Sequence, residues 1–75
     1  MREETEMIFS KDRKILVNPG NLAVATVSAT YIHAHLTDGS NVTLGNYSTE
    51  ERAEEVLMEM GMCIEDGIAY FMPEV

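Results

Sequence analysis

Residues 31–44, YIHAHLTDGSNVTL, contain the pattern that decides the fold of this 75-residue chain. Two segments of alternating apolar and polar residues flank Asp38-Gly39, a dipeptide that is typical of the tight turn of a β-hairpin. Successive side chains of a strand point to opposite faces, so the alternation places three apolar residues on one face: Ile32, Ala34 and Leu36. We therefore expect an antiparallel hairpin whose apolar face is buried in a core.

The opposite face of the first strand bears Tyr31, His33 and His35. The two imidazoles lie about 6–7 Å apart at Cα on such a strand, which allows them to share a metal ion or to act as bases. A zinc site needs three or four protein ligands, however, and the nearest carboxylate in sequence, Asp38, belongs to the turn. We interpret the pair as half-exposed residues of an open sheet face and predict no metal site. Metal binding and acid–base catalysis are the less favoured alternatives.

Strand patterns continue on both sides of this hairpin. We predict four more strands: residues 7–9, 15–17, 22–28 and 68–72. The first two are joined through a polar turn at Ser10-Lys11-Asp12-Arg13 and predict a second hairpin. In 18-NPGN-21, Pro19 followed by Gly20 predicts a type II turn, in which the glycine adopts a positive φ.

The apolar period lengthens from two residues to between three and four in 48-STEERAEEVLMEMGMCIEDG-67. Six residues form the apolar stripe of an amphipathic helix: Ala53, Val56, Leu57, Met60, Cys63 and Ile64. Ser48 is the predicted N-cap, with Glu51 as its partner in a capping box. We expect the helix to run to Asp66 and to end at Gly67.

Together, these patterns predict an α+β fold, a small antiparallel sheet of about five to six strands with one amphipathic helix packed on one face. Residues 7–75 are predicted to form a single small α+β domain, and residues 1–6, MREETE, a flexible N-terminus. A single helix leaves the other sheet face open, either to water or to a partner. Met60 lies on the helix stripe and Met58 and Met62 flank it, and most of the six methionines are interpreted as filler of an irregular small core. A methionine-lined groove for a partner is the less favoured alternative.

The single cysteine, Cys63, excludes an internal disulfide and a cysteine-based zinc cluster. Its place on the apolar stripe predicts a buried, inert thiol rather than a nucleophile. Because so short a chain buries only a modest core, we expect a homo-oligomer, in which self-association supplements that core. The sequence shows neither a signal peptide nor a segment long enough to span a membrane, so we expect a cytoplasmic protein.

Charge is unevenly distributed along the chain, whose formal net charge is −8. Residues 1–48 hold five acids and four bases, whereas residues 49–75 hold eight acids and a single base. Such a field repels phosphate backbones, so we do not expect direct nucleic-acid binding. An acidic helix face is able to contact a basic protein surface, and the predicted contacts are Glu51, Glu54 and Glu55. Taken by itself, the acidic helix face is more simply interpreted as a charged surface that keeps a small protein soluble.

Three segments, 10-SKDRKILVNPGNL-22, 31-YIHAHLTDGSNVTLGNYSTEERAEEVLMEM-60 and 70-YFMPEV-75, together resemble a group of small uncharacterised proteins of phages and prophages of Gram-positive bacteria. The resemblance covers nearly the whole chain. Aromatic residues are common in that group where His33 and His35 stand, which implies an exposed position that tolerates tyrosine. The resemblance further implies a phage context, with host takeover, defence evasion or accessory regulation as roles, and it supplies no catalytic residues.

The chain lacks a nucleophile elbow, a glycine-rich phosphate loop, a paired-histidine zinc motif and a dinucleotide fingerprint, so we predict no enzyme and no cofactor. The favoured function is a non-enzymatic phage-type accessory protein that binds a host protein, such as a defence or nucleic-acid-binding factor, through the acidic helix or the open sheet face. The alternative is an oligomeric binder of a small nucleotide-type signal. Its base would stack on Tyr31 and the imidazoles, and its phosphates would meet a basic residue: Lys11, Arg13, Lys14 or Arg52.

Overall fold

The computed structural model of the protein describes residues 7–75, which form six β-strands and one α-helix. In chain order the elements are β1 (Ile8–Phe9), β2 (Leu16–Val17), β3 (Leu22–Ser28), β4 (Tyr31–Leu36), β5 (Asn41–Asn46), α1 (Glu50–Asp66) and β6 (Tyr70–Phe71). The α+β class and the amphipathic helix are confirmed. The predicted flexible N-terminus, residues 1–6, lies outside the described residues.

The strands form two sheets of three strands each, so the prediction of one sheet of five to six strands is wrong. One sheet has the order β3-β4-β5 and is antiparallel throughout. The other has the order β2-β1-β6, in which β1 pairs antiparallel with β2 and parallel with β6. Alternation identifies strands but not their neighbours, and the parallel pair joins segments from opposite ends of the described chain.

The β3-β4-β5 sheet is built from two consecutive hairpins. Ala29 and Thr30 connect β3 to β4, and Ala29 adopts a φ of 54°. Between β4 and β5, Gly39 adopts a φ of 94° and the Asp38 carboxylate accepts a hydrogen bond from the Ser40 amide at 2.9 Å. The predicted Asp-Gly turn is therefore present, because the glycine takes the positive φ and the aspartate satisfies a free amide.

A β-bulge adjusts β5 to the core. Ile32 pairs with Gly45 and His33 pairs with Thr43, so Leu44 is the extra residue on the β5 side. The Leu44 side chain is buried. The bulge thus adds an apolar side chain to the core without moving the two histidines from the outer face.

One hydrophobic core lies between the two sheets and the helix. Its buried residues come from α1, from every strand except β3 and from the segments just after β5 and β6: Ile8, Val17, Ile32, Ala34, Leu44, Tyr47, Ala53, Val56, Met60, Tyr70 and Met72. The residues of the predicted helix stripe face this core, and Leu57, Cys63 and Ile64 are half-buried at its margin. The helix packs against β3, β4 and β6, which leaves the other face of the β3-β4-β5 sheet uncovered by any described element.

The helix begins one residue later than predicted. Thr49, not Ser48, is the N-cap, and its hydroxyl accepts a hydrogen bond from the Arg52 amide at 3.0 Å. The predicted partnership of Ser48 with Glu51 is therefore wrong, because the residue three positions after the true cap is an arginine. At the other end, Gly67 adopts a φ of 72° and closes the helix as predicted.

Two shorter predictions are also corrected. Gly20 does not adopt a positive φ: Pro19–Asn21 form a 3₁₀ turn, in which the Asn18 side chain accepts from the Gly20 amide at 2.8 Å. The last strand covers Tyr70–Phe71 rather than residues 68–72, because the Ile68 amide bonds to the Cys63 carbonyl as part of the helix end.

The position of the cap is testable by a pair of substitutions. Thr49→Ala should lower the free energy of unfolding by about 1 kcal/mol, because it leaves an amide of the first helical turn unsatisfied. Ser48→Ala, at an exposed position next to the cap, is the matched control and should change it by less than about 0.5 kcal/mol. Urea denaturation followed by circular dichroism measures both values, and an equal loss in the two variants would contradict the assignment.

Candidate interaction surfaces

Tyr31, His33 and His35 lie on the uncovered face of the β3-β4-β5 sheet, opposite the buried Ile32 and Ala34. The Tyr31 and His33 rings stack, with centroids 5.9 Å apart and planes inclined by 14°. This face therefore presents a flat aromatic surface of two rings. We name the three residues Tyr31, His33 and His35 the imidazole face.

Each imidazole is held by a threonine of a neighbouring strand. His33 Nδ1 lies 3.1 Å from the Thr43 hydroxyl, and His35 Nε2 lies 3.4 Å from the Thr26 hydroxyl. Threonine hydroxyls orient the rings but do not complete the three or four protein ligands that a zinc site needs. Within residues 7–75, no group of three or more His, Cys, Asp or Glu side chains is arranged to hold a metal ion.

The second candidate surface is the solvent side of α1. Glu51, Glu54 and Glu55 are exposed there, as are the remaining four acids of the helix: Glu50, Glu59, Glu65 and Asp66. Arg52, the one base of α1, bonds to Glu55 at 3.1 Å and to the Val75 carbonyl at 3.0 Å. Its charge is thus engaged at one side of the helix, and most of the carboxylates face solvent without a basic neighbour on α1.

Met58 and Met62 lie among these carboxylates rather than in the core. Their side chains are 70% and 61% exposed, so their interpretation as core filler is wrong. Positions four residues apart are neighbours on a helix surface, and these two lie near the centre of the solvent side. A projection of the helix with 100° between successive residues places both methionines on the solvent side, whereas their nearness to the apolar stripe in sequence suggested the core. We name the seven acids and these two methionines of α1 the acidic face.

A third surface is an open cleft of about 650 Å³ between the β1–β2 loop, the outer edge of β5 and the C-terminal segment. Its lining consists of Lys11, Asp12, Arg13, Thr43, Leu44, Gly45, Asn46 and Glu74. Two bases and two acids oppose each other in this lining. The cleft is therefore mixed in charge rather than strongly cationic.

Both bases of the cleft also make contacts that stabilise the fold. The Lys11 ammonium donates to the Asn46 carbonyl at 2.6 Å and lies 4.8 Å from the centroid of the Tyr47 ring. The Arg13 guanidinium donates to the Met72 carbonyl at 2.8 Å, which ties the β1–β2 loop to the C-terminal strand. A ligand phosphate in the cleft would have to share these donors with backbone carbonyls.

The β1–β2 loop is internally braced. The Ser10 hydroxyl donates to Asp12 Oδ1 at 2.7 Å, and the Lys14 amide donates to the same oxygen at 2.9 Å. These bonds, that of the Lys14 amide above all, stabilise the carboxylate and lower the pKa of Asp12 below its ordinary value. The loop therefore presents Lys11 and Arg13 in a fixed conformation, with Arg13 at a φ of 62°.

A smaller cleft of about 290 Å³ lies beside the C-terminal half of α1, lined by Glu59, Met62, Cys63, Asp66 and Tyr70. Cys63 is half-buried rather than fully buried as predicted. The histidines lie on the sheet face opposite the helix, so neither is placed to act as a base for this thiol. The Tyr70 hydroxyl donates to Glu59 at 2.8 Å. Burial, together with this bond and the Glu59 charge, raises the pKa of Tyr70 well above its ordinary value.

Comparison with protein-family models, with curated proteins and with solved structures yields no significant match for this chain. Among the described residues, no helix is long and apolar enough to cross a membrane. The geometry of the three surfaces is therefore the basis for a functional proposal.

The raised pKa of Tyr70 predicts a loss of stability in alkaline solution. Above pH 10.0, the ordinary value for tyrosine, the unfolded chain loses the phenolic proton while folded Tyr70 keeps it, so unfolding becomes more favourable as the pH rises. Tyr70→Phe should flatten the decline in unfolding free energy above that pH, measured by urea denaturation at several pH values. A residual slope is expected because burial also raises the pKa of Tyr47. An unchanged slope in the variant would contradict the assignment.

Proposed function

We propose that this protein is a non-enzymatic interaction module that binds a basic surface of a host protein through the acidic face of α1. The observation that supports the proposal is the exposure of all seven acids of the helix together with two methionines. A nucleic-acid-binding factor, such as one used in host defence, is the class of partner that fits, because its own binding surface is basic and evolved to meet regularly spaced negative charge.

The spacing of the carboxylates supports this class of partner. A helix of 17 residues is about 25 Å long, so its seven carboxylates lie along the axis at an average of one per ~3.6 Å. A single DNA strand presents one phosphate per ~3.4 Å of helix axis. The axial density of negative charge is thus similar, which favours competition with nucleic acid for one basic groove.

The last turn of α1 also supports a role beyond folding. Glu65 and Asp66 lie near the helix C-terminus, where the macrodipole is negative, and no base lies in that turn. Acids at this end oppose the dipole at a cost of about 0.3–1 kcal/mol each at exposed sites. Stability alone would favour lysine or arginine there, so the placement of these two acids is better explained by a surface that needs negative charge.

Met58 and Met62 supply the apolar part of the same surface. Methionine side chains are flexible and polarisable, and they adapt to an irregular apolar contact. At 70% and 61% exposure they are available to a partner without any change in the fold. A partner with a shallow apolar pocket between lysines and arginines would complement the acidic face in both charge and shape.

The proposal is tested by capture of binding proteins from a bacterial lysate on the immobilised protein, followed by affinity measurements on the captured protein. We expect a basic protein whose affinity falls steeply between low and high salt and which DNA displaces. Glu51→Gln combined with Glu54→Gln should weaken the complex about tenfold at low salt.

The matched control is Thr37→Lys combined with Asn41→Lys, at two exposed positions beside the turn of the β4–β5 hairpin. It changes the net charge by the same amount as the double glutamine variant, but away from α1. This control should bind nearly as well as the wild type. Affinity that is independent of salt, or an equal loss in both double variants, would contradict binding through the acidic face.

The alternative function, an oligomeric binder of a small nucleotide-type signal, is favoured by one juxtaposition. The Tyr31–His33 stack offers a platform for a base, and Asn46, the register partner of Tyr31 in β5, lines the cleft that contains Lys11 and Arg13. A base on the stack would therefore have its phosphates directed across β5 towards two cations. Arg52 does not belong to this arrangement, since it bonds to Glu55 and Val75.

Native mass spectrometry distinguishes the alternative from the first proposal. If the protein sequesters a nucleotide, material purified from signal-producing cells should retain a ligand whose mass is absent from protein made in other cells. Tyr31→Ala should release that ligand, whereas Glu51→Gln combined with Glu54→Gln should not. Ligand-free protein from both sources would exclude this alternative and leave the first proposal unaffected.

A further inference from the structure

Three of the four sheet edges in the described part of the chain are short or occupied. The edges formed by β2 and β6 are two residues long each. The edge of β5 is covered near its centre, where the Lys11 amide donates to the Leu44 carbonyl at 2.8 Å. The fourth edge belongs to β3, a strand of seven residues that pairs with β4 alone among the elements of residues 7–75.

From this we infer that the outer edge of β3 is an interface at which a second copy of this chain adds its own β3 antiparallel. The two copies would then share a continuous six-stranded sheet. The inference does not rest on the proposed function, which uses the acidic face of α1 and not the edge of β3.

The backbone groups available at this edge follow from the hairpin register. Ser28 and Tyr31 form the closing pair of a two-residue turn, and such a pair exchanges both hydrogen bonds. The bonding direction alternates along the strand, so Thr26 also bonds to β4, whereas Ala25 and Val27 direct their N–H and C=O groups away from it. These two residues are the donors and acceptors that a second strand would satisfy.

The composition of β3 distinguishes it from edges that resist pairing. Exposed edges are usually protected by lysine, proline or an inward charge, and Leu22–Ser28 (LAVATVS) contains none of these. Its bulge lies at the start, between Leu22 and Val24, so the remaining strand is regular. Val24 is 52% exposed on the same side as the imidazole face. An unprotected regular edge of this length is the geometry that strand addition requires.

A second copy fits this edge better than an unrelated strand for two reasons. Antiparallel pairing of a strand with itself about a twofold axis is self-complementary, and an axis at Thr26 would pair Ala25 of each copy with Val27 of the other. The side chains of the strand also allow the pairing: each chain has a net charge of −8, but β3, the longest strand, has no charged side chain to oppose a second copy of itself.

The same symmetry sets the salt dependence of the dimer. An axis perpendicular to the sheet places both helices on one face of the six-stranded sheet, where their carboxylates repel. Salt screens this repulsion, so self-association should strengthen as ionic strength rises. Binding of a basic partner through the acidic face should weaken over the same range, and the two proposals are thus separable by one titration.

The interface is tested by sedimentation and amide hydrogen exchange of the full chain across protein concentrations from about 1 µM to 1 mM. We expect a dimer that dissociates on dilution, with the Ala25 and Val27 amides protected only in the dimer and the Thr26 and Ser28 amides protected in both states. Three results would each overturn the inference: rapid exchange of Ala25 and Val27 at every concentration, a dimer in which these two amides remain unprotected, or a monomer in which they are always protected. The last result would show that another segment of the same chain covers the edge.

A proline substitution provides the second measurement. Ala25→Pro removes an outward N–H and leaves the hydrogen bonds to β4 in place, so the monomer should keep its circular dichroism spectrum while the dimer dissociation constant rises at least about tenfold. Ala25→Ser retains the N–H and should dimerise like the wild type. A folded proline variant with an unchanged dissociation constant would contradict the inference, and the exchange experiment on the wild type decides the question if the variant does not fold.

Discussion

The parallel pairing of β6 with β1 is the interaction on which the rest of the structure depends. The Tyr70 amide donates to the Met7 carbonyl at 3.1 Å and the Met72 amide donates to the Phe9 carbonyl at 3.0 Å. These bonds hold the segment that follows α1 against β1, and so connect the C-terminal end of the helix to the first strand of the described chain. The same pairing stacks Phe9 on Phe71 at 4.4 Å between ring centroids. A sheet of two-residue strands would be marginal alone, and it persists here because its inner residues belong to the core of the whole domain.

Side-chain hydrogen bonds to backbone carbonyls complete this closure. Arg13 reaches the Met72 carbonyl, and the Tyr47 hydroxyl donates to the Pro73 carbonyl at 2.7 Å. Each bond joins a loop to the C-terminal segment, so several distant parts of the sequence meet at one place. A donor that already bonds to a backbone carbonyl binds a ligand less readily. The lining of the cleft around Lys11 contains two bases, but both are engaged in this way, so the cleft gives only weak support to the nucleotide alternative.

Patterns with a short range were predictable from the sequence, and pairings between distant segments were not. The β4–β5 hairpin and the helix end at Gly67 follow from alternation, an Asp-Gly turn and a left-handed glycine, all within a few residues. The division into two sheets depends on β1 meeting β6, and no local pattern specifies that contact. The shift of the cap from Ser48 to Thr49 has a different cause, since two adjacent residues both have a suitable hydroxyl and the sequence pattern does not distinguish them.

The candidate surfaces were largely predictable from local pattern. Alternation placed Tyr31, His33 and His35 on one face, and projection of α1 at 100° per residue places Met58 and Met62 on its solvent side, although their nearness to the apolar stripe in sequence suggested the core. The distribution of charge then separates two kinds of contact. The acidic residues are concentrated on α1, where they favour a cationic partner, whereas β3 has none and, among the strands of residues 7–75, pairs with β4 alone. The proposed binding of a cationic surface through the helix and the proposed pairing of two copies along β3 therefore use different parts of the molecule.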